Sequence, residues 1–80
     1  LTVSTREKVA ELVRALDPTI TIHDFRMVVG QTHTNLIFDM VIPFAFRLSD
    51  NEVKAEMDRL VKGISPDYYA IVNIDKSYTD

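Results

Sequence analysis

Two segments of the chain carry apolar residues at helical spacing, and the first lies near its beginning. Four residues at i, i+3, i+4 and i+7 form one face of this predicted helix, namely Val9, Leu12, Val13 and Leu16. Ser4 or Thr5 can cap its start, and Glu7 lies three residues after Ser4, as a capping box requires. Pro18 ends the helix, because proline disfavours the helical conformation of the residue before it.

The second helical segment has clear signals at both ends. Ser49 and Glu52 form a Ser-x-x-Glu capping box at its start. Gly63 and Pro66 follow its last turn and predict its end. Its apolar stripe comprises Val53, Met57, Leu60, Val61 and Ile64. Two pairs of opposite charge at i, i+4 are expected to support this helix: Asp50 with Lys54, and Asp58 with Lys62.

Between the helices, the pattern of apolar residues changes from helical to alternating. Residues 19–29 are rich in β-branched and aromatic side chains, and residues 30–34 supply a turn that begins with Gly30. In residues 35–42, one face would hold Leu36, Phe38, Met40 and Ile42, and the other Asn35, Ile37, Asp39 and Val41. Pro43 ends this strand, since it has no N–H to donate to a ladder. The two segments are therefore predicted to form an antiparallel hairpin.

Residues 68–76 alternate in the same way and predict a third strand. One side would hold Ala70, Val72 and Ile74, and the other Tyr69, Ile71, Asn73 and Asp75. The predicted order is helix, strand, strand, helix, strand. Two helices on one face of a three-stranded sheet would bury the apolar stripes of both helices against the apolar face of the strands. We therefore expect an α+β fold, a ferredoxin-like two-layer sandwich that lacks its first strand.

The composition narrows the classes of protein to which the chain can belong. Its 80 residues are 46% hydrophobic and 26% charged, which indicates one globular domain over residues 1–80. A net charge of −3 provides no basic face, so nucleic acid is not expected as a partner. The longest apolar stretch, residues 36–46, is shorter than the roughly 20 residues of a bilayer span, so this fragment is not expected to cross a membrane. Because it begins with Leu1 rather than methionine, we expect it to be a piece of a longer protein.

Motifs typical of enzymes are absent from the sequence. The chain has no cysteine, which excludes disulfides and cysteine nucleophiles. Its two glycines, Gly30 and Gly63, lie far apart in the chain, so it has neither a Gly-x-x-x-x-Gly-Lys loop nor a Gly-x-Gly-x-x-Gly loop. No serine lies in the context of a nucleophile elbow. We therefore expect a protein that is not an enzyme.

The predicted sheet face that points away from the helices is mixed in character. It carries the apolar residues Ile37, Val41, Tyr69 and Ile71 beside the polar residues Asp39, Asn73 and Asp75. On a domain with so small a core, a patch of this kind indicates an interaction surface, and we expect a homodimer. The alternative is an ordinary exposed face whose strand-forming residues serve β propensity alone.

The same face could hold a metal ion. His23, Asp39 and Asp75 would supply one imidazole and two carboxylates, a set that suits a divalent cation of intermediate hardness. Strict alternation places His23 on the core side of its strand with Phe25, so a bulge near Asp24 is needed to turn the imidazole outward. The alternative is a structural histidine with two solvated aspartates. His33, in the hairpin turn, is predicted to be exposed.

One family shares several of these features. The segment Ile-His-Asp-Phe-Arg at residues 22–26, Gly30 in the hairpin, and Val-Asn-Ile-Asp at residues 72–75 resemble the cytoplasmic C-terminal domain of the cation diffusion facilitators, which are divalent-cation efflux transporters. The resemblance covers nearly the whole chain in element order. Asp39 stands where the family has a histidine on the second strand, which shifts the ligand set toward harder ions. Asn73 stands where the family has the histidine of its terminal motif, which puts a second metal ion in doubt.

The resemblance implies a metal-sensing and dimerisation domain of a divalent-cation, Zn-type efflux transporter. It would lie at the cytoplasmic face of the cell membrane, pair as a homodimer, and be joined to the transporter's own transmembrane domain. His23, Asp39 and Asp75 would bind the ion, which would be Zn²⁺ or, alternatively, Mn, Fe or Co. Two alternatives are a ferredoxin-like domain that senses a small molecule, and a purely structural dimerisation domain that binds no metal.

Overall fold

The computed structural model describes residues 3–78, which form two helices and three strands. In chain order these are α1 (Thr5–Leu16), β1 (Thr21–Val29), β2 (Thr34–Pro43), α2 (Asp50–Lys62) and β3 (Tyr68–Ser77). The α-β-β-α-β order and the three-stranded sheet predicted from the sequence are confirmed, and the architecture is consistent with a ferredoxin-like α+β fold.

The sheet is mixed, with β2 in the centre and β1 and β3 at its edges. β1 pairs with β2 antiparallel through the hairpin, and β3 pairs with β2 parallel after the crossover through α2. In a complete ferredoxin-like sheet, an additional first strand separates the strands that correspond to β2 and β3. Without that strand, β2 and β3 pair with each other directly over their whole lengths.

Side chains at the N-termini of both helices accept the first free backbone N–H groups. Ser4 Oγ accepts a hydrogen bond from Glu7 N at 3.2 Å, and Ser49 Oγ accepts one from Glu52 N at the same distance. Glu52 Oε1 accepts from Ser49 N at 2.9 Å, which completes the predicted capping box. That backbone hydrogen bond lowers the pKa of Glu52. Neither of these helices, the only two in residues 3–78, is long and apolar enough to cross a membrane.

The core lies between the helices and one face of the sheet. Buried residues of α1, α2 and β2 belong to the same cluster, which places both helices on one face. This cluster comprises Val9, Val13, Ile20, Leu36, Phe38, Met40, Ile42, Val53, Met57, Val61 and Val72. The predicted alternation of β2 is confirmed, because its buried and half-buried residues alternate along the whole strand. Leu60 and Ile64, predicted for the stripe of α2, are only partly buried.

One of the two predicted charge pairs within α2 is present, and the other is replaced. Lys62 Nζ lies 2.7 Å from Asp58 Oδ2, as the i, i+4 spacing predicts. Asp50 instead pairs with Lys76 of β3, whose Nζ lies 2.9 Å from Asp50 Oδ1. This second pair joins the start of α2 to the end of β3, a contact between elements that helical spacing could not reveal.

Candidate functional site

A β-bulge in β1 determines which side chains reach the sheet face opposite the helices, here called the open face. His23 pairs with Asp39 and Arg26 with Ile37, so two residues of β1, Asp24 and Phe25, lie opposite one residue of β2. Asp24 has a φ of 54°, in the left-handed region. The bulge that an outward-facing His23 requires is therefore present.

The bulge sends Phe25 and His23 to opposite faces of the sheet. Phe25 packs against the buried Phe38, with ring centroids 6.0 Å apart. His23 lies directly across from Asp39, which is on the open face of β2, and its side chain is exposed. The Thr21 hydroxyl lies 3.2 Å from His23 Nε2, within hydrogen-bond distance. An imidazole that strict alternation would bury is thus available to a ligand.

A row of three paired residues crosses the open face at this point. Asp39 is its centre, with His23 on one side and Asn73 of β3 on the other. Asn73 Nδ2 donates a hydrogen bond to Asp39 Oδ1 at 3.3 Å. The amide therefore orients the Asp39 carboxylate and occupies one of its oxygens. Asn73 is a contact of the site that the sequence placed on this face without assigning it a partner.

The third predicted ligand lies one pair further along the sheet. Asp75 is paired with Val41, two residues beyond the partners Asp39 and Asn73. Within residues 3–78, no group of three or more histidine, aspartate or glutamate side chains could hold a metal ion as they stand. The assignment of His23, Asp39 and Asp75 as ligands of one divalent cation stays a prediction.

The row borders a shallow, open depression of about 540 Å³, lined by Asp24, Phe25, Arg26, Asp39 and Asn73. It combines two carboxylates, one guanidinium and one amide, so it is a strongly polar surface. From the sequence, Asp24 and Arg26 are recognisable only as part of the motif at residues 22–26. A signal for their position was present in the odd spacing between the apolar residues Ile22 and Phe25, which pack against the same core. Two residues three positions apart cannot share a face of a regular strand.

Apolar side chains occupy the open face on the hairpin side of this row. Arg26, Ile37 and Ile71 form the next set of paired positions, and Val28, Asn35 and Tyr69 form another beyond it. Val28, Tyr69 and Ile71 are each about half exposed, at 52%, 45% and 49%. His33 is exposed, as predicted, and its ring meets the Tyr69 ring edge-on at 5.0 Å. The predicted mixed character of this face is confirmed.

A comparison of the chain with family models, curated proteins and solved structures finds no match. The two observations that bear most directly on function are the facing pair of His23 and Asp39 and the exposed apolar surface beside it.

Proposed function

We propose that the chain is the metal-sensing and dimerisation domain of a divalent-cation efflux transporter, at the cytoplasmic face of the cell membrane. The observation that carries the proposal is the bulge that brings His23 opposite Asp39. These are two of the three ligands proposed from the sequence, and a one-residue change of register would separate them. The resemblance of residues 22–26 and 72–75 to the cation diffusion facilitators supports the same function.

His23 and Asp39 would provide an imidazole nitrogen and a carboxylate oxygen to the ion. Asp75 would add a second carboxylate from β3, one pair further along the sheet than Asp39 and Asn73. Water would fill the remaining positions. Zn²⁺ suits the imidazole, and Mn²⁺, Fe²⁺ or Co²⁺ would also be accepted by a set with two carboxylates.

Dimerisation would use the apolar part of the open face. The side chains of Ile71, Tyr69 and Val28 are exposed and apolar, so their removal from water would lower the free energy of the dimer. A cation bound beside this surface would favour one arrangement of the two copies, because an ion shifts an equilibrium only by its different affinity for the two states. That arrangement would then be communicated to the transporter's transmembrane domain, the other proposed partner.

A purely structural dimerisation domain is the second candidate. It is favoured by the same apolar surface, which does not depend on metal, and by the lack of a three-residue ligand group in residues 3–78. A small-molecule-sensing domain is the third, and titration with a panel of amino acids tests it.

Calorimetric titration with Zn²⁺ and sedimentation velocity, with and without Zn²⁺, distinguish these candidates. We expect wild type to dimerise and to bind Zn²⁺, His23→Ala to lose most of the affinity, and the matched control His33→Ala to keep it. Ile71→Asp is expected to weaken the dimer, because it places a charge in the proposed interface. A dimer whose Zn²⁺ affinity is the same in wild type and His23→Ala would favour the structural role. A monomer under all conditions would contradict both.

A further inference from the structure

The sheet has two edges, and α2 covers part of the edge formed by β3. An edge strand presents a row of backbone N–H and C=O groups to a further strand, from the same protein or another. The backbone N–H of Ala70, on the side of β3 away from β2, donates a hydrogen bond to Asp58 Oδ1 of α2 at 3.0 Å. A side chain of the helix layer thus occupies a donor that strand addition would require.

Lys62 holds the Asp58 carboxylate in this position. Its ammonium group lies 2.7 Å from Asp58 Oδ2, so the two oxygens have different partners. Partial desolvation by itself would raise the pKa of Asp58, but the hydrogen bonds from Lys62 and from the Ala70 N–H outweigh it and lower that pKa. The carboxylate is therefore ionised at neutral pH and remains a strong acceptor for the edge N–H.

Lys62 also contacts an aromatic side chain of β3. Its Nζ lies 3.9 Å from the centroid of the Tyr69 ring, within the range of a cation–π contact. Tyr69 belongs to the open face, whereas Lys62 belongs to a helix on the opposite face. The ammonium group therefore lies near both the Tyr69 ring and the carboxylate that accepts from the Ala70 N–H, and it places a positive charge beside the β3 edge.

We propose that Asp58 and Lys62 block the addition of a strand from a second copy of this chain to the β3 edge. Charged side chains on an edge, and coverage of an edge by a helix, are two ways in which proteins prevent such pairing. A second copy that paired with β3 would have to displace Asp58 from Ala70 and Lys62 from Tyr69, which would leave both charges without these partners. This proposal does not depend on metal binding or on the open-face dimer.

Amide hydrogen exchange and sedimentation velocity on the whole chain test whether these residues block the edge. Asp58→Ala is expected to speed exchange of the Ala70 amide by about tenfold or more, and to produce associated species larger than those of wild type. The matched control is Asp50→Ala, which removes another acid of α2 whose partner is the Lys76 side chain rather than an edge N–H. It is expected to leave both measurements unchanged.

The proposal would be overturned if Asp58→Ala, folded by circular dichroism, associated no more than wild type, or if Asp50→Ala associated equally. If Asp58→Ala does not fold, Lys62→Ala decides, because it removes the charge beside the edge and keeps Asp58. Folded Lys62→Ala that forms species larger than those of wild type supports the proposal, and folded Lys62→Ala that forms none overturns it.

Discussion

His23 lies directly opposite Asp39 across the antiparallel pair of β1 and β2, and the bulge at Asp24 and Phe25 creates this pairing. Directly opposed side chains on one sheet face have Cβ atoms about 4.5–5.5 Å apart, close enough for an imidazole and a carboxylate to share a ligand. Asn73 holds the same carboxylate from β3. Asp39 is therefore the residue on which the proposed site converges.

Substitution of Asp39 tests the chemistry of this pair. Asp39→His would place two imidazoles opposite each other, and imidazole suits zinc better than it suits harder ions such as Mn²⁺. We therefore expect the ratio of Zn²⁺ affinity to Mn²⁺ affinity to rise, as measured by calorimetric titration with each ion. The control Asp67→His changes an exposed aspartate outside the site and is expected to leave the ratio as it is. An unchanged ratio in Asp39→His would show that this side chain does not bind the ion.

The apolar stripe of α2 is expected to carry much of the stability of the domain. Met57 is fully buried, so Met57→Ala should lower the free energy of unfolding by about 2–5 kcal/mol, the usual range for such a truncation. Leu60 is only partly buried, so Leu60→Ala should cost less than Met57→Ala. The control Lys54→Ala lies on the exposed side of the same helix and should change the free energy of unfolding by less than about 0.5 kcal/mol. Urea denaturation measures all three, and equal effects of Met57→Ala and Lys54→Ala would contradict the packing described.

The left-handed conformation of Asp24 makes a specific prediction about its replacement. This region costs an L-residue about 1–2 kcal/mol, aspartate tolerates it better than most, and glycine adopts it freely. Asp24→Gly should therefore leave the free energy of unfolding unchanged or raise it, whereas Asp24→Val should lower it by more than about 1 kcal/mol. Arg26→Val introduces the same side chain at a regular position of β1 and is the control. Tolerance of Asp24→Val equal to that of Arg26→Val would argue against the bulge.

Protonation of Asp58 is expected to lower the stability of the domain in acid. Its pKa is lowered in the folded protein by hydrogen bonds from Lys62 and Ala70, against partial desolvation. Ionised Asp58 therefore makes its full contribution to the free energy of unfolding above the pKa of an unfolded aspartate, about 3.9. This contribution is lost as the pH falls through the lower pKa of Asp58 in the folded protein. Urea denaturation at several pH values below 5 should show a shallower loss for Asp58→Asn than for wild type. Parallel curves for the two proteins would refute this assignment.

Several features of the fold follow from local sequence patterns. The alternation of Leu36, Phe38 and Met40 assigns the two faces of β2 because successive side chains of a strand point in opposite directions. The boundaries of α2 follow from Ser49 and Glu52, whose capping bonds span only three residues. Such signals depend on neighbours in the chain, so the sequence contains all that is needed to read them.

The sequence by itself thus determined the element order, the buried faces of β2 and β3, and the residues that these two strands place on the open face. Only the tertiary structure decided that His23 faces Asp39, that Asp75 lies one pair away, and that Asp50 bonds Lys76. It also decided that Asp58 binds the Ala70 N–H, twelve residues further along the chain. Each of these relationships depends on how separate elements align, and that alignment is set by packing of the whole core around β2. A local pattern cannot specify it, because the same alternation is compatible with more than one register and more than one bulge position.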